Sequence, residues 1–153
     1  MGIHIVAVGK IRTTFLRSAC DEYIKRLSRY CKVDMVEIRS NKGGSIRINV
    51  ERESKNVLRY IRQDRTNILL DEEGKEVASK EFADLLWSWM SEKGGKVAFF
   101  IGGTDGVDPK IRKEFDGCIA LSRMTFTHEM ARALLLEQIY RAFTIKIGGP
   151  YHH

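Results

Sequence analysis

Five short apolar runs rich in β-branched and aromatic residues, at 3–8, 33–38, 67–70, 97–101 and 118–121, alternate with segments of helical period. This alternation constrains the fold more than any other feature. Runs of four to six residues are strand-sized, and strands separated by helices are joined in parallel, because a parallel pair needs a long crossover. Leu16, Ala19, Tyr23, Leu27 and Tyr30 make one apolar stripe, and Phe82, Leu85, Leu86 and Trp89 make another. Val50, Val57, Leu58 and Ile61 mark a weaker helix between them. The pattern predicts an α/β fold, a mostly parallel sheet flanked by helices, formed as one domain over 1–153. The D-E-E-G-K segment at 71–75 reads as a turn after the third strand.

A final helix is predicted over 128–146, with Thr127 as its N-cap and Glu129 suited to the positive end of its dipole. Met130, Ala133, Leu134, Leu135, Leu136, Ile139, Ala142 and Phe143 cover more than one stripe of it, so it is either central in the monomer or part of an oligomer interface. Arg132 and Arg141 are unusual on so apolar a helix. Glu137 stands four residues before Arg141 and can neutralise it, or Arg141 can reach toward an anionic substrate.

Composition narrows the function. No run approaches the length of a membrane span, and the first residues lack a basic leader and a cleavage site, so no membrane partner and a cytoplasmic location are expected. Cys20, Cys31 and Cys118 are odd in number and lack C-x-x-C spacing, so they read as small buried residues, with neither disulfide nor metal expected. Residues 1–65 carry 15 Lys and Arg against 7 Asp and Glu, whereas the rest carries 11 against 13. A basic half suggests an anionic partner such as nucleic acid, or simply a well-solvated surface. The glycine-rich 41–45 segment between Arg39 and Arg47 is open to the same two readings.

Two loops follow strand-like runs in the C-terminal third. Gly102, Gly103 and Gly106 lack the spacing of dinucleotide and P-loop fingerprints, and Asp105 and Asp108 make the loop a poor phosphate cradle. A neutral or cationic ligand suits it better. In the second loop Ser122, Thr125 and Thr127 offer polar groups while Met124 and Phe126 offer apolar faces, the combination a flat heteroaromatic needs. Tyr151, His152 and His153 are either a frayed terminus or an aromatic and an imidazole beside a reacting site.

The motifs I-V-A-V-G-K, D-E-Y-I-K-R-L, F-I-G-G-T-D-G, L-S-R-M-T-F-T-H, E-Q-I-Y-R-A-F and Y-H occur in that order along the whole chain. On these the chain resembles the ribosomal RNA large subunit methyltransferase H family of the SPOUT superfamily. The resemblance implies a C-terminal deep trefoil knot and methylation of N3 of a pseudouridine in 23S ribosomal RNA within assembled ribosomes. It implies S-adenosyl-L-methionine as cofactor, contacted by Leu70, Gly102, Leu121, Ser122, Arg123, Met124, Thr125 and Phe126. It also implies a homodimer packed through the knot region, with a substrate pocket shared between subunits. Arg141 is the candidate for stabilising an anionic base, His152 for a general base or orienting group, and Tyr151 for holding the flipped nucleotide; His128 is a further catalytic candidate. Thr127 stands where the family usually has proline. A non-catalytic RNA- or ribosome-binding module, or a related methyltransferase acting on another RNA, are the alternatives.

Overall fold

The structure, a computed structural model, describes residues 1–151. In chain order its elements are β1 (Gly2–Val8), α1 (Thr14–Leu27), β2 (Lys32–Ile38), α2 (Ile46–Leu58), β3 (Thr66–Glu76), α3 (Ser79–Glu92), β4 (Lys96–Ile101), a 3-10 helix (Pro109–Glu114), β5 (Gly117–Ala120) and α4 (His128–Lys146). The strands form one five-stranded sheet in the order β2-β1-β4-β3-β5. Every pairing in it is parallel, as the strand–helix alternation predicts.

A parallel sheet covered on both faces explains why the strands are continuous apolar runs. Successive side chains enter opposite layers. Ile3, Ile5 and Ala7 of β1 and Val97, Phe99 and Ile101 of β4 join one core with α1, α3 and α4. Val6, Val8, Ala98 and Phe100 join the other, under Val57 of α2 and Ile111 of the 3-10 helix. Phe99 and Phe100 are both fully buried. Burial of each side chain contributes about 1.5–3 kcal/mol, so β4 anchors both layers.

The excess apolar surface of α4 is absorbed inside the monomer. Its Ala133, Leu135, Leu136, Ile139, Ala142 and Phe143 are buried, and the helix packs against both α1 and α3. These residues are central in the monomer, while Met130 and Leu134 of the same helix are only half-buried. Its bounds and its cap are as predicted, with the Thr127 hydroxyl accepting from the Met130 N–H at 3.2 Å. Glu129 does more than meet its own helix dipole. Its Oε2 accepts from the backbone N–H of Arg12 and Thr13, tying α4 to the start of α1.

One local expectation fails. Residues 71–75 are not a turn beyond the strand, because β3 runs on to Glu76. Leu70 and Lys75 both register with Ile119 of β5, so the intervening residues bulge and return. A Cβ on Gly74 would stand 2.6 Å from the Ile119 carbonyl carbon, so only glycine lets the strand close back there. The turn-forming residues make the bulge, and pairing with β5 overrides them as a terminator. The three cysteines are unpaired, with Cys20 and Cys31 buried. Among the described residues no helix is long and apolar enough to cross a membrane.

Candidate active site

The carboxyl ends of β4, β3 and β5 open onto a cleft of about 390 Å³. Leu70, Ile101, Val107, Met124, Phe126 and Ala131 supply apolar wall, and Asp71, Glu72, Glu73 and Asp105 supply a rim of acids, of which Asp71 and Glu73 pair with the lining Arg112 at 3.2 and 2.7 Å. This is the edge at which open α/β sheets bind ligands, and the volume lies in the range of small-molecule sites. The sequence-predicted residues Leu70, Gly102, Leu121, Ser122, Met124, Thr125 and Phe126 all line it, together with His128. Arg123 does not; its guanidinium pairs with Glu76 at 2.8 Å.

The glycine wall is built by the turn closing on itself. The Gly106 N–H donates to the Gly103 carbonyl at 3.0 Å, and Gly106 has φ of +77°. A Cβ on Gly102 would lie 2.8 Å from the Gly106 carbonyl carbon and 2.9 Å from its oxygen. Close backbone approach is thus needed within the turn before any ligand arrives. α2 props this turn from behind. Glu53 is buried, accepts from the Asn41 N–H at 2.7 Å, and places Oε2 2.8 Å from where a Gly103 Cβ would be. Burial pushes the Glu53 carboxyl above its ordinary range. Ser54 Oγ accepts from the Asp108 N–H at 2.8 Å. Neither residue was singled out from sequence, although both occupy the apolar stripe between Val50 and Val57, where a polar residue signals a specific partner.

The facing loop is tethered to the bulged end of β3. Thr125 Oγ1 donates to Glu72 at 2.6 Å, the Arg123 N–H donates to Glu76 at 3.1 Å, and the Ser122 hydroxyl accepts from the Met124 N–H. The hydroxyls expected to face a ligand therefore shape the loop. Met124 is left 74% exposed, and Phe126 is also exposed, so two apolar side chains stand free at the cleft mouth.

Beneath the loop, the first turn of α4 carries a buried cluster. The Arg132 side chain is 0% exposed. Its Nη2 donates to the carbonyls of Val8 at 3.2 Å and Gly9 at 2.6 Å and meets His128 Nδ1 at 2.7 Å. Its Nη1 donates to Glu37 at 3.1 Å, and its Nε to the His128 carbonyl at 3.2 Å. Arg132 thus ties the ends of β1 and β2 to the helix that follows the cleft loop. Burial, reinforced by the Arg132 charge, holds the His128 imidazole below its ordinary range. For Glu37 burial acts upward, but the Ile11 N–H and the Arg17 and Arg132 guanidinia outweigh it and hold the carboxylate low. Gly9 has φ of +90°, and a Cβ there would sit 2.8 Å from His128 Cε1.

Arg141 and Tyr151 lie elsewhere. Arg141 donates from Nε and Nη2 to Glu137 at 3.0 and 2.8 Å, the pairing the sequence spacing allowed. Its guanidinium stands 4.9 Å from the centre of the Tyr151 ring. The Tyr151 hydroxyl lies 3.2 Å from both Tyr23 and Glu137, and its ring meets Tyr140 edge-on. Burial, with these two partners, raises the Tyr151 phenol well above its usual range. At about 1.5 Å of rise per residue, Arg141 is roughly 20 Å along α4 from His128. One chain therefore does not bring the two predicted groups together. His152 lies outside the described residues.

Comparison with known proteins agrees with this geometry. The chain is 40% identical over 158 aligned positions to the ribosomal RNA large subunit methyltransferase H of Clostridium botulinum (strain Loch Maree), covering 99% of each protein. It is 39% identical over 153 positions to the protein of the same name from Geotalea daltonii, covering 100% of each. A solved structure of a probable methylase family protein from Haemophilus influenzae superposes with a TM-score of 0.55 at 11% identity, covering 99% of this chain and 70% of that one, a likeness of fold. Residues 1–152 match the family described as predicted SPOUT methyltransferase, and the chain belongs to that family.

Proposed function

We propose that the protein methylates N3 of a pseudouridine in 23S ribosomal RNA, on assembled ribosomes in the cytoplasm, using S-adenosyl-L-methionine. The observation that carries the reading is the cleft. Apolar walls from Leu70, Met124 and Phe126 suit a flat heteroaromatic, and the four carboxylates of the rim outnumber Arg112, which pairs with Asp71 and Glu73, so the rim still favours a cation over a phosphate. Those features fit S-adenosylmethionine, which when bound supplies an electrophilic methyl group on a sulfonium centre. The relatives' printed names support ribosomal RNA as the acceptor. The threaded C-terminal knot belongs to the same reading, supported by the match to the SPOUT methyltransferase family.

Methyl transfer to an imide nitrogen needs the N3 proton removed and the resulting charge stabilised, with the acceptor held in line. Arg141 is suited to the charge, since its Nη1 makes no hydrogen bond among the described residues. Tyr151 offers an aromatic face for the flipped base, and His152 is the proposed proton acceptor. The separation along α4 requires these groups to meet the cleft of a second copy, so the active species is a homodimer with sites shared between subunits.

Incubation with large ribosomal subunits lacking the modification, followed by mass spectrometry of their RNA, tests the reading. N3-methylpseudouridine is expected, with no product when uridine replaces the pseudouridine. Absence of S-adenosylmethionine binding by calorimetry would leave the non-catalytic RNA-binding module, and methylation of a different RNA would leave the related enzyme.

A further inference from the structure

The carboxyl edge of the sheet is divided by charge. Over β3 and β4 it is acidic, at the cleft. Over β1 and β2 it carries Lys10, Arg12, Arg39, Lys42 and Arg47, all exposed. None of these five makes an ion pair among the described residues. The opposite edge differs. There Lys32, Lys93 and Lys96 sit against Asp34, Asp116 and Asp64 at 3.3, 2.8 and 2.9 Å, while Arg29, Arg59 and Arg62 are exposed and make no ion pair among the described residues. Unpaired cations need no partner displaced before they meet an anion, so an edge whose five named cations are all unpaired meets one more readily than an edge whose lysines are already neutralised.

The basic half is joined to the cleft through backbone. The Gly9 N–H donates to the Ile38 carbonyl at 2.7 Å and the Ile11 N–H to Glu37 at 3.0 Å, holding the loop after β1 beside the loop after β2. Gly9 lies against His128 at the cleft, and Asn41 is bonded to Glu53, which backs Gly103 on the cleft wall. Both basic loops therefore contact residues that line or back the cleft.

We propose that the loops after β1 and β2, with the first turn of α2, form the surface that docks the RNA backbone, through Lys10, Arg12, Arg39, Lys42 and Arg47, and direct the strand across the cleft mouth. This inference rests on the RNA methyltransferase reading for its partner, and on the charge division of the sheet edge for its place. Phosphate contacts of this kind set register and orientation without reading sequence. Base selection is left to the cleft.

The test replaces all five residues by glutamine and measures binding, separately from methyl transfer, to large ribosomal subunits and to protein-free 23S ribosomal RNA over a salt series. A control variant carries Lys32, Lys93 and Lys96 to glutamine. Each phosphate contact contributes about 0.7–0.9 to the log–log salt slope. The five-fold variant is expected to bind both probes more than about ten-fold more weakly at low salt, with the slope flattened by about 3.5–4.5 units, while cofactor affinity and melting temperature stay unchanged. The control is expected to keep the wild-type slope. An unchanged slope in the five-fold variant, or an equal loss in the control, overturns the proposal. Loss on subunits with undiminished binding to protein-free RNA also overturns it, because the partner of these cations would then be a ribosomal protein. Wild-type binding with a steep salt slope but no methyl transfer would remove the proposed reaction and leave the docking surface standing.

Discussion

Arg132 and Arg141 sit on the same helix and do opposite things. Arg132 is enclosed at the cleft end of α4, where carbonyls, a carboxylate and an imidazole satisfy its guanidinium. Arg141 is partly open at the far end, paired with a residue of its own helix and capped by an aromatic ring. The first holds three chain segments together, so its geometry is fixed by them. The second has a local partner four residues away and a nitrogen without a hydrogen bond among the described residues, so its geometry is not fixed by distant segments. An arginine on an apolar helix is thus no indicator of function by itself; the distance along the chain to its partners separates the two cases.

Four measurements put this difference at risk. Replacing Arg132 by Met should produce the largest effect, a loss of about 3–5 kcal/mol in denaturant unfolding, because Glu37 and two carbonyls lose a buried donor. A loss below about 1 kcal/mol would erase the contrast with Arg141. Gly9→Ala attacks the same end through the backbone. A side chain at φ of +90° aimed into the His128 ring should cost roughly 1–3 kcal/mol and weaken cofactor binding, and a neutral result would mean the imidazole is free to move aside.

Arg141→Ala should cost less than about 1 kcal/mol, as a partly exposed i,i+4 pair does. Methyl transfer should nevertheless fall by about 10²–10³-fold with cofactor affinity nearly unchanged; an equal fall in both would make Arg141 structural. The smallest effect concerns pH. The folded His128 pKa is lowered, so unfolding takes up a proton that the native state refuses. The associated stability is present above the unfolded pKa of about 6.5 and is lost as pH falls below it. The melting temperature should decline from pH 7 toward 5, and His128→Asn should flatten that part of the curve. A variant curve parallel to that of the wild type would assign the decline to other groups.

What the sequence revealed follows the same division between local and distant partners. The bounds of α4, the Thr127 cap and the Glu137–Arg141 pair involve neighbours within one or two turns, and spacing alone predicts them. The apolar alternation likewise predicts a parallel sheet, since each strand reports its own burial. The partners of Arg132 are remote, with Glu37 95 residues away and Val8 124 residues away, and no periodicity links them. The only local trace was a charge placed on the stripe of Leu135, Leu136 and Ile139. The end of β3 was misread because Asp71–Gly74 carry turn chemistry, while the pairing that extends the strand comes from β5. The cleft residues were legible through the two loops and the family motifs. The props behind the glycine turn, Glu53 and Ser54, were not, because they lie on a helix with no motif of its own.

The reach of Arg132 has a consequence for how the molecule acquires its shape. β1 is an interior strand of the sheet, yet the carbonyls at its end are closed off by a side chain from α4. Contacts spanning such long stretches of chain are slow to form, because the intervening polypeptide must be ordered before they stabilise anything. An intermediate with its sheet assembled and α4 undocked would expose the apolar faces of α1 and α3 together with an open strand end. Such a species is prone to associate with other chains, and its lifetime is set by the rate at which α4 docks. The same helix that borders the cleft would therefore also end the period in which the chain is most vulnerable to aggregation.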